Sequence, residues 1–212
     1  MYLPSHFEER NPEALHDLIA KHPLGMLVTH GGEGLDANHV PFELDTGAAL
    51  GPHGVLRAHV ARANPLWQSV ADGDEVLVVF RAEQAYISPN WYPSKHEAHK
   101  LVPTWNYRVV HAHGRITVRD DERYVRGLVA RLTRHHEAGQ PKPWKMGDAP
   151  PDHIDTLLKS IVGLEIAVAR LVGKFKLSQN REPRDRVNAG QVLIDQGDKE
   201  LGQHMLAAGP AA

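Results

Sequence analysis

The chain has 212 residues, a net charge of −2 and no cysteine. That length suits one sizeable core, or a domain with an appendage, burying about 70% of the unfolded surface without staples. The missing cysteine excludes disulfides, thiolate metal ligands and thiol catalysis, and the slightly acidic balance argues against a dedicated nucleic-acid module.

The first residues, MYLPSHFEERNPEAL, show no basic-then-apolar leader. No apolar run approaches the ~20 residues of a membrane span, so a cytoplasmic protein without membrane partners is expected. Asn11-Pro12 starts a helix with a cap and a first-turn proline, and Ala14, Leu15, Leu18 and Ile19 recur at helical spacing. LGMLVTH (24–30) is a strand and GGEG a turn. LDANHVPFEL is a second strand; Pro41 cannot donate to a ladder, so it marks an edge or a bulge. GVLRAHVA (54–61) is a third, with Leu56, Ala58 and Val60 on one face and Arg57 and His59 on the other. Asn64-Pro65 opens a short helix. EVLVVFRA reads as a central strand, and QAYIS and TWNYRVVHAHGRITV continue the sheet.

After Val118 the pattern becomes helical. DDERYVRGLVARLTRHHEAG carries acids in its first turn and bases in its last, matching the helix dipole. A proline-rich loop, QPKPWKMGDAPP, precedes a short helix (152–160) and the alternating strand LEIAVARL; the polar tail from Arg181 is mostly helical. The closely spaced strands point to a mainly β, α+β barrel with peripheral helices. The expected organisation is one domain over 1–180 and a helical tail over 181–212.

Several motifs admit two readings. In RAHVARANP (57–65), helix-start amides beside Arg62 suit a phosphate, or the stretch is an ordinary capped turn. In KFKLSQNR (174–181), Lys174, Lys176, Ser178 and Asn180 share a face if extended, and suit a phosphate or a flavin edge, or form a solvated strand end. In VHAHG, His111 and His113 share a strand face and with His59 could ligate a metal or haem; a polar lining is the plainer reading, and no metal is expected. His135 and His136 suit a helix C-terminus. There is no G-x-S-x-G elbow, P-loop, H-E-x-x-H or G-x-G-x-x-G, and no convincing helix-turn-helix.

MYLPSHF, RAHVARANP, AYISPNWY, VPTWNY, VHAHG and KLSQNR, in this order from residue 1 to about 181, resemble the FMN-binding negative transcriptional regulators of the PaiB type. One departure is Ala82-Glu83, where the family pattern would have a Gly-Pro turn. The resemblance implies an FMN-binding split β-barrel and a homodimer with FMN at its interface. It places the phosphate near Arg62 and Asn64, the isoalloxazine along Asn38, His39, Val40, Pro41 and Phe42, and His59 within the cofactor set. Trp105 and Asn106 would come from the partner subunit, and Lys176, Ser178, Gln179 and Arg181 would close the site. Trp91, Tyr92, Trp105 and Tyr107 would then be flavin-site and interface aromatics, and PSKHEAHK a mobile loop over the site.

Function is expected to be negative regulation of degradative-enzyme or sporulation-type genes, directly or indirectly. The alternatives are an FMN-dependent oxidoreductase and, from fifteen histidines and the split-barrel precedent, a haem protein. For direct DNA contact, the densest basic run, Lys174, Lys176, Arg181, Arg184 and Arg186, would meet phosphates.

Overall fold

A computed structural model describes residues 1–48, 50–98 and 100–209. His99 of the proposed loop and residues 210–212 of the expected tail therefore lie outside the described residues. The strands are β1 (Glu8–Glu9), β2 (Leu24–Gly31), β3 (Gly34–Pro41), β4 (Glu43–Asp45), β5 (Val55–Ala61), β6 (Glu75–Ile87), β7 (Thr104–Arg119) and β8 (Ile161–Lys176). The helices are α1 (Pro12–Lys21), α2 (Leu66–Ser69), α3 (Lys95–Ala98), α4 (Glu122–Glu137), α5 (Pro151–Leu158), α6 (Pro183–Asp195) and α7 (Lys199–Ala207). The strands form one sheet in the order β3-β2-β6-β7-β8-β5-β4, with β1 also on β8. The pairs β2–β3, β2–β6, β4–β5 and β5–β8 are antiparallel. Proline at position 41 ends β3 at the sheet's edge, as its missing N–H requires.

The chain folds as two interleaved units. One comprises Met1–Leu18, Arg81–Val110 and Val172–Ala212, and the other Ile19–Phe80 and His111–Leu171. In the second unit, β2 to β5 and parts of β6, β7 and β8 enclose Leu27, Leu56, Val78, Phe80, Ile116, Leu164 and Ile166, all fully buried. Each such side chain contributes about 1.5–3 kcal/mol. Asn64 Nδ2 donates to Asn38 Oδ1 over 3.0 Å, joining the end of β5 to β3. Glu165 of β8 is 6% exposed. It accepts from Arg57 Nε at 3.1 Å, Arg119 Nη2 at 2.5 Å and the Tyr124 hydroxyl at 3.3 Å. Burial alone would push its carboxyl up, but the bonds from Arg119 and Arg57 hold it below the usual range.

The first unit packs α1, α6 and α7 with the remaining parts of the long strands. Asn11 Oδ1 caps α1 by accepting from Glu13 N at 3.0 Å, as the sequence predicts. Leu15 and Leu18 of α1, Leu193 of α6, and Leu201 and Met205 of α7 are buried. A Cβ on Gly202 would lie 2.6 Å from Gly190 O, so α6 and α7 touch backbone to backbone there.

Three expectations are corrected. No turn interrupts the sheet at Ala82-Glu83; β6 runs unbroken through both. The reason is Arg108 on β7, 3% exposed, whose Nε and Nη2 bind Glu83 at 2.8 and 2.7 Å. The last strand reaches Lys176, and Ser178 then adopts φ 65°, which turns the chain. Ser178 and Asn180 therefore do not continue the lysine face. Tyr92 is not an interface ring but core, with no exposed surface.

Burial raises the Glu83 carboxyl, but the Arg108 bonds dominate and bring it to about 2. A depressed carboxyl stabilises the fold above its ordinary value of 4.5, and that stability is lost as pH falls toward 2. Glu83→Gln should cost about 3 kcal/mol at neutral pH, because buried Arg108 is left with only the more distant Glu200 carboxylate at 3.8 Å. It should also flatten the loss of stability between neutral and strongly acid pH. Urea denaturation at both pH values measures this; equal acid sensitivity in the two proteins would remove Glu83 from the response. Separately, Gly202→Val should destabilise by more than about 2 kcal/mol, read from the same curves, since the helix pair must separate to admit the side chain.

Candidate functional site

The residues singled out from sequence fall into two groups, one in each unit. In the second unit, Arg62 follows β5 and is already engaged. Its Nε donates to Lys159 O at 2.7 Å, and both terminal nitrogens meet Asp120, Nη1 at 2.9 Å. Its guanidinium also lies 5.6 Å from the Trp67 ring centre. Asn64 Oδ1 accepts from Leu66 N at 2.9 Å at the start of α2, a helix of only four residues. Asn64 and Arg62 thus brace the end of β5. Asp120, which the sequence reading passed over, was signalled by the run of acids before α4.

Along β3 the side chains alternate. Val40 and the following Phe42 are 4% and 3% exposed and point into the core, where Phe42 meets Phe80 edge-on at 5.8 Å. They can offer a ligand only backbone. His39 and Pro41 face outward, and Asn38 lies at the seam, where its Nδ2 also donates to Asp36 at 2.8 Å. His59 Nδ1 is buried with no hydrogen-bond partner among the described residues, and burial pushes its pKa down. His111 and His113 share a face with ring centres 6.3 Å apart, as read from their spacing. Burial lowers both, and the Arg170 charge adds to that. Among the described residues, no cluster of three or more possible metal ligands includes any of these histidines.

In the first unit the candidates converge more closely. Asn106 is fully buried on β7; its Nδ2 donates to Ser178 Oγ at 2.9 Å and approaches Met205 Sδ at 3.3 Å. Its Oδ1 is buried without a partner among the described residues. Ser178, 2% exposed, also meets the Tyr92 hydroxyl at 3.4 Å. A serine in the left-handed region is strained and persists only where its surroundings fix it, as these bonds do. Gln179 folds back, its Oε1 accepting from Leu177 N at 2.7 Å and its Nε2 donating to Phe175 O at 2.6 Å.

Beside them lie three cations. Lys176 Nζ donates to Thr104 Oγ1 and, at 2.6 Å, to Trp105 O. Lys174 Nζ donates to Tyr2 O at 3.1 Å and faces the Tyr107 ring at 5.4 Å. Arg181 lies 5.7 Å from the Tyr92 ring centre. Among the described residues none of the three has a carboxylate partner. Burial lowers the Lys176 pKa, and Lys174 and Arg181 lower it further. Trp105 is 52% exposed and stands edge-on to Tyr86 at 6.5 Å. Lys174 and Lys176 lie together as their alternation implies, whereas Tyr86 was not among the residues singled out from sequence.

Two further expectations meet different geometry. The loop at 93–100 is pinned within its described part, because Ser94, 7% exposed, donates from N at 3.0 Å and from Oγ at 2.5 Å to buried Asp185 of α6. Two members of the basic run are engaged within the fold. Arg184 is paired with Glu97 and Glu182, and Arg186, 6% exposed, donates to Met205 O at 2.5 Å.

Residues 1–170 match the family model described as "Putative FMN-binding domain". The chain is 30% identical to the protease synthase and sporulation protein PAI 2 of Bacillus subtilis, over 96% of this chain and 94% of that one. It is 33% identical to an uncharacterised protein of Aspergillus fumigatus, over 88% of each. Among solved structures, the flavocytochrome Anf3 of Azotobacter vinelandii superposes with a TM-score of 0.60 at 12% identity, covering 80% of this chain and 69% of that one. The FAD and heme binding protein of Mycobacterium smegmatis gives 0.55 at 18% identity, covering 80% and 73%. These two likenesses speak to fold alone, and the fold they share is the split β-barrel. On the family model and the Bacillus relative together, the chain belongs to the PaiB-type family of FMN-binding split-barrel proteins.

Proposed function

We propose that this protein is an FMN-binding negative regulator whose response is carried by the flavin. The observation behind this reading is the set Lys174, Lys176 and Arg181, three cations gathered without a carboxylate among the described residues. Like charges held together in a partly buried place favour an anion, and a phosphate monoester supplies up to two negative charges. Lys176 has three N–H donors and directs two of them at Thr104 and Trp105, so one remains for a phosphate oxygen. Among the described residues no side chain takes up the Arg181 guanidinium donors, and the group rests on Tyr92. Arg62, the alternative phosphate ligand, has its donors taken by Asp120 and Lys159 O. The first-unit residues therefore fit the phosphate end of the cofactor better.

In the same reading Trp105 supplies an aromatic wall for the ring system from a partner subunit. Bound FMN would supply a group that takes up and releases one or two electrons. The chain's own residues would hold its phosphate and shield its ring from water. A homodimer is part of the proposal: Trp105 and Tyr86 form an exposed aromatic pair, the kind of group that anchors interfaces. The regulatory role comes from the resemblance to the PaiB-type family; the Bacillus relative is named a protease synthase and sporulation protein. The second reading, an FMN-dependent oxidoreductase, gains from the commitment of Arg184 and Arg186 within the fold, which leaves that run poorly placed to meet DNA phosphates.

Lys176→Gln and Arg181→Gln should each weaken FMN binding by about 1.5–3 kcal/mol, the worth of a charge-assisted hydrogen bond. Titration followed by quenching of FMN fluorescence reads this. Loss on Arg62→Ala with the lysine variant unaffected would move the phosphate to the rival position. Trp105→Glu should yield a monomer that has also lost flavin, seen by sedimentation; a monomer retaining tight FMN would sink the shared site. Gel shifts of FMN-loaded protein on its own promoter and a scrambled duplex separate the two roles. Promoter preference at physiological salt supports direct regulation. Equal weak binding, with bleaching of the flavin band by a nicotinamide donor, favours the enzyme.

A further inference from the structure

A second cavity lies in the second unit, between the C-terminal half of α4 and the proline-rich loop that follows it. Its volume is about 470 Å³, within the range of small-molecule pockets. None of the flavin candidates lines it. The walls are apolar: Ala130, Pro143, Trp144 and Met146. The loop is built into place at three points. Met146 packs on the cluster Val125, Ile154 and Leu158 that joins α4 to α5. Trp144 N donates to Glu137 Oε2 at 2.8 Å, and Lys145 N to Asp148 Oδ2 at 3.0 Å. Trp144 nevertheless stays 44% exposed, although nothing in the flavin reading uses it.

The charges at the rim decide what such a pocket takes. Arg134 and Lys145 border it, and neither has a carboxylate partner among the described residues. The one acid on the lining, Glu137, already accepts the Trp144 amide. A helix C-terminus by itself repels anions, but Arg134 in the last turn of α4 offsets this with a full positive charge. An indole face and a thioether favour a flat ring over a branched chain, and a guanidinium fork favours a carboxylate over a neutral polar group.

We propose that this pocket is a binding site for a small aromatic carboxylate, its ring against Trp144 and Met146 and its carboxylate on Arg134 and Lys145. The site is separate from the flavin site and stands or falls without it. Isothermal titration of the full-length protein with indole-3-acetate and, separately, its neutral counterpart indole-3-acetamide tests it. The acid should bind saturably in the micromolar to low-millimolar range, and the amide at least about tenfold more weakly. Arg134→Gln, an exposed change, should bring the acid down to the amide's level. Ala130→Trp should fill the cavity and abolish binding of both, with thermal melting to confirm the fold. Equal binding of acid and amide, no saturable heat below about 10 mM, or binding untouched by Arg134→Gln or by a folded Ala130→Trp would each overturn the proposal.

Discussion

One buried carboxylate organises the second unit. Glu165 sits directly opposite Arg57 in the β5–β8 ladder, so their bond fixes the same register that the backbone fixes. Arg119 reaches it from the end of β7, and Tyr124 from the first turn of α4. Three separate stretches of chain are thereby tied to a single point. A buried anion with one arginine would be a doubtful asset, because desolvation rivals attraction. Two guanidiniums and a hydroxyl satisfy it, and Arg57 extends the network to Asp45 at 2.6 Å. The position of β5, and hence of Asn64 and Arg62 beyond it, rests on this arrangement. The start of α4 rests on it too, and α4 carries the wall of the second cavity.

The first unit uses a related device. Arg108 and Glu83 satisfy each other where neither could be buried alone, and the guanidinium lies 5.2 Å from the Phe175 ring centre. Lys174, Lys176 and Arg181 are the contrast. They are held by carbonyls, hydroxyls and ring faces, which accept cations without neutralising them. Arg57 and Arg108 are each paired with an acid, whereas among the described residues these three are not, which is the contrast on which the proposed anion site rests.

Strands and helices were legible wherever period and punctuation agree. Asn11-Pro12, the alternation in residues 54–61 and the amphipathic stretch after Asp121 became the elements their patterns specify. What escaped the sequence depends on partners distant in the chain. Nothing near Ala82-Glu83 announces an unbroken strand, because the partner that holds Glu83 there is Arg108. Nothing near Tyr92 distinguishes a core ring from an interface ring; burial against Arg181 and Ser178 decides it. Arg62 looked free because its acid, Asp120, comes 58 residues later. Lys176 lies beside Lys174 as the alternation of its motif implies, and its partners Thr104 and Trp105 also come from far away in the chain.

The contact of Met205 with Asn106, and of Gly202 with Gly190, bears on where this protein can be divided. The family match stops at residue 170, inside β8. A recombinant fragment cut at that point would lose Lys174, Lys176 and Ser178 along with both closing helices. Asn106 and Tyr92, dry in the whole chain, would meet solvent. Chimeras between members of the family meet the same limit. A graft of the last forty or so residues must bring its own match for the 106–178–205 contact, so this segment and β7 are expected to change together over the family's history rather than drift apart.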